Sequence, residues 1–535
     1  MKTVLATGLT AVLLVLGLPA SIHAQDGTPV WTNTYNGPIN GDDEARAIAL
    51  DVGGNVYVTG AVFTNRSVYD TDYATIKYSP AGVMLWARFF NGAGNDTDVP
   101  YALAVDANSN VVVTGYSIGS GSGQDYATIK YSSAGVALWT NIFNGSANGD
   151  DTARAIAVDG IGNVYVTGDS TGSGSGQDYA TIKYSSAGVP LWTNFFNGAV
   201  NGNDVANAIS VNENGDVYVT GSTTATNFGY TDFATIKYSA AGEPLWTNFF
   251  NGAANGADAA VAVKLDQDAN VFVTGSSQIG SNLGNDYAYV TIKYSPAGLA
   301  LWTNFFNGTG SGQDIATALA TGTSGNIYVT GYSQVSGENF SYATIKYSPD
   351  GVGLWTNFLN LASTNFVTAF GLALDGSGNV YVAGGPILPA SGSQSVNYAT
   401  VKYSTAGVPL WTNLFVGTAK SNGQAYGIAV DASGNAYVTG DATDSGSGRD
   451  FVTIKYSAPP TPLVFVTTNG SFGPINQQFV LKLTGPTGSN AVISAGTNLQ
   501  TWVPLTTNQL SGGTLQFTDK LATNYLLRFY RAKLQ

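Results

Sequence analysis

Apolar and polar positions along most of this chain fall into short runs with the period of two that a β-strand imposes. One stretch reads LWTNIFNGSANGDDTARAIAVDGIGNVYVTGDSTGSGSGQDYATIKYS, beginning at Leu138. It holds four runs rich in β-branched and aromatic residues: LWTNIF, ARAIAVD, NVYVTG and DYATIKYS. Gly, Asn and Ser separate them, as tight turns between antiparallel strands require. No helical periodicity is sustained anywhere, so the pattern predicts an all-β protein.

The four-run unit recurs with a period slightly above fifty residues, which points to a solenoid, a propeller or an array. Tryptophans at 31, 86, 139, 192, 246, 302, 355 and 411 mark one run. Glycines at 60, 115, 168, 221, 275, 331, 384 and 440 end another, and lysines at 77, 130, 183, 237, 293, 346, 402 and 455 mark a third. Each series counts eight. If AIAVD is the innermost strand, the chain opens on an outermost strand around Trp31 and its last unit lacks one. The first strand then completes the last unit. The expectation is an eight-bladed β-propeller of four-stranded blades with interlocked ends over residues 29–457, since a linear stack would leave sheet edges unpaired.

Spacing divides the unit into constant and variable parts. Every Trp precedes its marker Gly by 29 residues, and every Lys that has a following Trp precedes it by 9. The Gly-to-Lys steps are 17, 15, 15, 16, 18, 15, 18 and 15. Length variation therefore falls on the link between second and third strands, in loops such as AVFTNRSVYDTDY, STTATNFGYTDF and GPILPASGSQSVNY. Alternating strand direction places these loops beside the blade-to-blade links on one face, opposite the minimal turns DGIGN and SSAG. Loops that vary on a rigid frame are where binding usually resides. Tyr69, Phe228, Tyr230 and Phe340, aromatics in polar loop sequence, are the candidate contacts to a glycan or protein ligand.

Twelve residues after each Trp stand Asp43, Asp98, Asp151, Asp204, Asp258 and Asp314, then Val367 and Gly423. Two readings fit this acidic column at the mouth of the central channel. It could bind a hard cation such as Ca²⁺ through oxygen, or each carboxylate could accept backbone N–H groups of its own loop. The lysines of DYATIKYS are expected in a buried layer between blades, stems on aromatics and ammonium groups at an acidic partner or the sheet edge.

Composition narrows the chemistry. Lys2, the apolar run from Val4 to Leu18 and a small-residue exit at Ala24 read as a secretory signal, residues 1–24, too short to span a membrane comfortably. Its removal would take away His23, the only histidine, and the chain has no cysteine. That excludes Ser-His-Asp and Cys-His nucleophile arrangements, His- or Cys-ligated zinc and iron–sulfur clusters. A net charge of −13 and a pI of about 4.4 argue against nucleic acid as a partner. The expectation is a monomeric extracytoplasmic protein with no transmembrane segment.

AIAVDGIGNVYVTG followed by DYATIKYSSAGVPLW resembles the secreted bacterial β-propeller repeat SBBP and, more distantly, the NHL repeat. The resemblance covers residues 30–457 and implies the propeller fold, with no catalytic residues to carry over. After Lys455 a Pro-rich linker, 458–463, leads to residues 464–535, whose alternation predicts a small β-sandwich with Trp502 in its core. The run GTNLQTWVPL…FYRA is similar to a C-terminal module of exported bacterial proteins, and its end is basic at Arg528, Arg531 and Lys533. The reading is an exported binding or scaffolding propeller without catalysis. A polysaccharide hydrolase or lyase using Asp residues at the channel mouth is the alternative. A quinoprotein is a second one, because AGVPLW resembles the Gly-x-x-x-Trp element of PQQ dehydrogenases.

Overall fold

The computed structural model describes residues 10–11, 27–65, 70–225, 229–280, 286–310, 312–336, 339–361, 367–386, 398–417, 423–444, 446, 448–458, 464–466, 472–475, 478–485, 490–497, 501–521 and 527–534. All regular structure among them is β. Gly27–Ala458 forms one compact unit and Pro459–Gln535 belongs to a second. Apart from Thr10 and Ala11, the predicted signal lies outside the described residues, as do Tyr69 and Phe228.

Within Gly27–Ala458 the strands form repeated four-stranded antiparallel sheets, eight among the described residues. In one of them Asp151–Val158, Val164–Thr171, Gln177–Tyr184 and Pro190–Phe196 follow in chain order. The first strand of each sheet packs beside the first strand of the next, and Gly423–Val430 of the last packs beside Glu44–Leu50 of the first. Pro29–Tyr35 pairs antiparallel with Gly448–Tyr456 and supplies the fourth strand of the last sheet. First strands line the centre, with Ala155–Val158 half-buried; fourth strands form the rim and leave Leu191 and Phe195 exposed.

Successive sheets are fastened by one repeated contact. Each marker Lys stands directly opposite the Trp of its own sheet, as Lys183 does opposite Trp192. In seven of the eight sheets both reach into the next sheet and donate to one carbonyl in its third-to-fourth-strand turn; the Trp411 indole N–H has no such acceptor among the described residues. Lys183 Nζ and Trp192 Nε1 reach Ala240 O at 2.9 and 3.2 Å, and Lys346 Nζ and Trp355 Nε1 reach Thr405 O at 2.8 and 3.2 Å. Asn194 Nδ2 adds a bond to Gly242 O at 2.7 Å. Gly242 is at φ +89°, and a Cβ there would lie 2.8 Å from the Trp192 indole, so the turn needs glycine for its conformation and for the approach.

Seven of the eight lysines lie in the buried layer expected for them, and Lys455 is half-buried. Lys183 is 8 % exposed, with its ammonium 5.1 Å from the Tyr165 ring centre; Lys130 also pairs with Asp106 at 2.9 Å. That aspartate belongs to the first-to-second-strand turn, where Asp106 Oδ1 accepts the amides of Asn108 and Asn110. DGIGN-type turns are thus closed by their own aspartate. In one copy the acid has exchanged places with the asparagine, Asn212 and Asp216, and Lys237 still finds it at 3.0 Å.

At the junction of the chain ends the turn is rebuilt from two segments. Gly27, at φ +82°, lies under Trp411 and accepts from Asn413 Nδ2, as the turn glycines of other sheets do. Its N–H donates to Ser457 O, and Ser457 N–H returns a bond to Thr28 O.

In the second unit Asn490–Gly496 lies between Val503–Gln509 and Leu527–Leu534, while Gln478–Thr484 pairs with Val464–Val466, Phe472–Ile475 and Thr514–Asp519. Leu481, Leu483, Ile493, Leu510 and Tyr530 share one buried cluster. The expectation for Trp502 is corrected: it is half-buried outside that cluster, because Arg531 covers its ring at 4.7 Å and the smaller aliphatic side chains fill the interior.

Lys130→Met should cost about 3 kcal/mol in urea unfolding, because it strands the buried Asp106 carboxylate. Lys183→Met, which leaves no buried acid behind, should cost about 1 kcal/mol. Gly27→Val, a residue outside every strand, should lower Tm as much as Gly242→Val does, since both collide with an indole at positive φ; equal Tm for Gly27→Val and wild type in a thermal scan would contradict the closure.

Candidate functional site

The marker glycines, useful at first only for counting, have a structural partner. Opposite each of them the first strand carries a bulge: Ala153 pairs with Gly168 and Ala155 with Thr167, leaving Arg154 without a ladder partner. A Cβ on Gly168 would meet Thr152 O at 1.9 Å, so the bulge closes only against glycine. The bulged residues are Arg46, Tyr101, Arg154, Asn207, Val261, Thr317, Phe370 and Tyr426, fifteen positions after each Trp. Neighbours on either side are mostly alanine, while this one position ranges from cation to phenyl. A β-bulge re-aims a side chain, and here each is at the variable-face end of a strand that lines the centre.

Four of these side chains form a continuous arc. Phe370 and Tyr426 have ring centres 5.7 Å apart. The Tyr426 hydroxyl bonds to Glu44, and burial followed by the Asp441 charge pushes its pKa far above the ordinary value. Glu44 Oε2 accepts from Arg46 Nη2 at 2.9 Å, the Arg46 guanidinium lies 5.0 Å from the Tyr101 ring centre, and Tyr101 faces Tyr116 at 6.0 Å. Behind Tyr426, Arg449 stands between Asp441 and Asp42, 3.6 Å from each. Further round, Arg154 Nε donates to buried Asp169 at 2.5 Å. Burial raises the Asp441 pKa to about 7; Arg449 opposes the shift and Glu44 adds to it. The other side of the ring is plainer: Asn207 Nδ2 donates to Ala260 O and Thr317 Oγ1 to Ala369 O.

The acidic column does not converge at the channel mouth. Asp43, Asp98, Asp151, Asp204, Asp258 and Asp314 are fully buried, one per sheet. Each accepts the amide of the glycine six residues before it, as Asp151 does from Gly145 and Asp258 from Gly252 at 2.5 and 2.6 Å. Oδ1 of Asp43, Asp151, Asp204 and Asp258 takes the amide twenty residues on. Burial raises Asp43 to about 6 and also lifts Asp98, Asp258 and Asp314. Among the described residues no three acidic side chains come together as metal ligands would. The idea of a single central cation site is corrected, because these side chains turn back into their own sheets to close the links between them.

Phe340, read as an exposed loop aromatic, is corrected too. It lies in strand Asn339–Tyr347, is 9 % exposed and packs edge-on against Tyr332 at 5.4 Å, since the link before it is short enough for the strand to extend. Tyr230 is half-buried, beside a shallow groove of about 550 Å³ bounded by Asn203, Ser222, Thr224, Gly229 and Thr231. The Gly-x-x-x-Trp element that resembled quinoproteins is accounted for by sheet docking: Gly188 supports Trp139 of the preceding sheet, and Trp192 rests on Gly242 of the next. The bulge arc went unnoticed in the sequence, where its signal is the one changing position inside AxAIAVD.

The SBBP β-propeller repeat matches residues 410–446. A eukaryotic initiation factor is similar at 10 % identity over 69 % of this chain and 88 % of that one, TM-score 0.34. A luciferin-regenerating enzyme is similar at 15 % over 57 % and 94 %, TM-score 0.29. Comparison with curated proteins gives no match. The repeated four-stranded sheets and the matching repeat make the chain a β-propeller repeat protein. Among the described residues no helix is long and apolar enough to cross a membrane.

Asp441 ionises in the folded chain near pH 7, against an ordinary value of 3.8. Folding therefore favours its protonated form: the stabilisation is complete below pH 3.8 and is lost as the pH rises through about 7. Wild-type Tm should fall between about pH 4 and 7 more steeply than that of Asp441→Asn; parallel curves in differential scanning calorimetry would refute the assignment.

Proposed function

We propose that this chain is an exported eight-bladed propeller, closed by its first strand and followed by a small β-sandwich, that binds a glycan at the mouth of its central channel on the variable-loop face. The arc Phe370–Tyr426–Glu44–Arg46–Tyr101–Tyr116 carries this reading. Aromatic faces beside paired hydrogen-bonding ions suit the apolar faces and hydroxyls of a sugar ring. Three arginines, Arg46, Arg154 and Arg449, stand against Asp42, Glu44, Asp169 and Asp441, the last half-protonated near pH 7. The cluster is close to neutral, which favours an uncharged saccharide over a polyanion. Tyr230 and the loops around it would extend the contact outward, and the signal at residues 1–24 would take the chain outside the cytoplasm as a monomer.

One observation favours a second reading. Asp441, raised to about 7, can carry a proton near neutral pH, as the acid of a glycan-cleaving carboxylate pair must, and Glu44 is a second carboxylate close enough to act on it. A glycan array followed by calorimetry separates the two. Binding of a neutral oligosaccharide should weaken about tenfold in Tyr101→Ala, the loss of roughly 1.4 kcal/mol of stacking, with Tm held within a few degrees. Unchanged affinity in Tyr101→Ala and Arg46→Ala would remove the site. Turnover by wild type that disappears in Glu44→Gln would replace binding with hydrolysis or lysis.

A further inference from the structure

The start of each third strand runs beside the start of the next sheet's first strand. Tyr287 and Gln313 form a parallel bridge there. Gln124 N donates to Asp150 Oδ1, and Gln177 N to Asn203 Oδ1. One residue further along, Asp125 comes up against Asp151 and Asp178 against Asp204. Burial, and then the charge of the facing acid, raises the pKa of both Asp125 and Asp178. Asp72 stands in the same relation to Asp98, Asp232 to Asp258 and Asp450 to Asp43.

These pairs are well buried. Asp125 is 4 % exposed and Asp178 8 %, while Asp151 and Asp204 are fully covered. Asp125 and Asp178 each accept one hydroxyl, from Ser122 and Ser175, on Oδ2. Their Oδ1 atoms have no hydrogen-bond partner among the described residues, and neither has that of Asp72. An orphaned carboxylate oxygen beside a second buried carboxylate is costly unless one of the two is protonated or positive charge lies between them.

The repeats record which acids go together. Five residues before the marker Lys stand Asp72, Asp125, Asp178, Asp232 and Asp450, and for each of them the next column position is Asp. Where the column reads Val367 and Gly423, the corresponding earlier residues are Ser341 and Asn397. Before Asp314 the position is Ala288, but an acid stands two residues earlier at Asp286, and its charge still acts on Asp314. Independent frame residues would have no reason to disappear as pairs.

We propose that each paired carboxylate between adjacent blades holds one hard cation of the calcium class, so that a ring of separate inter-blade sites lies under the variable face. The two acids supply charge, the Ser122 or Ser175 hydroxyl and water complete the oxygen shell, and lone pairs not engaged by backbone amides face the ion. The sites are distinct from the saccharide arc and join blades where the Trp–Lys contact, on the other face, does not reach.

Fully buried Tyr126 and Tyr179 feel the charges of Asp151 and Asp204, which makes them built-in sensitisers for terbium. The full chain, stripped with EGTA, should show tyrosine-sensitised terbium emission saturating at several ions per chain and displaced by calcium, with calcium raising Tm. The double variant Asp125→Ser, Asp151→Val copies the Ser341 and Val367 combination that the chain already folds with, and should bind one ion fewer. Unchanged stoichiometry in that variant, or no sensitised emission in wild type, overturns the proposal. A variant more stable than wild type in EGTA but no longer raised by calcium at that joint supports it.

Discussion

Everything in the propeller hangs on the contact in which a Trp and a Lys from one sheet share a carbonyl of the next. A four-stranded sheet with two apolar faces cannot bury them alone, and non-directional packing leaves neighbouring sheets freedom to slide. The shared carbonyl removes that freedom: two donors converge on one oxygen, and an indole is pressed on a turn that only glycine can form. The lysine is buried for this reason, with its charge distributed over a carbonyl, an aromatic ring and, in four sheets, a turn aspartate. At the junction of the chain ends Gly27 rebuilds the support under Trp411 and the bond from Asn413, although the Trp411 indole N–H finds no carbonyl among the described residues.

With the sheets fixed in this way, the opposite face is released for chemistry. The bulge in each first strand lifts one residue out of the ladder, and the marker glycine across from it makes the room. Frame and function meet in that pair: the glycine is constant because the bulge needs it, and the bulged side chain is free to vary because nothing in the ladder depends on it. The arc from Phe370 to Tyr116 draws on several sheets and accumulates on one side of the ring, so a repeated frame presents a one-sided surface.

The strands, their number per unit and the pairing of the chain ends were legible in the sequence because they follow from period-two alternation and constant spacing. The role of the lysines was legible for the same reason: a strand flanked on both sides by other strands leaves a long side chain little choice but to lie flat. Phe340 reads as exposed because its sequence neighbours are polar, and Trp502 reads as core because it is the one large aromatic of an alternating segment; in both cases the deciding partner lies elsewhere in the chain. One found Tyr332 on the adjacent strand, and the other found Arg531 from the end of the chain.

Local sequence determined the sheets, since hydrogen-bonding register and side-chain alternation depend on residues a few positions apart. Tertiary structure alone decided which bulged residues form an arc, and it brought face to face the carboxylates whose joint presence the repeats record. Asp125 and Asp151 are twenty-six positions apart, and Tyr426 and Glu44 come from the last and first sheets in the sequence, which are neighbours only because the ring closes. Their meeting depends on how sheets turn about a common axis, and no residue pattern within a single sheet encodes that turn.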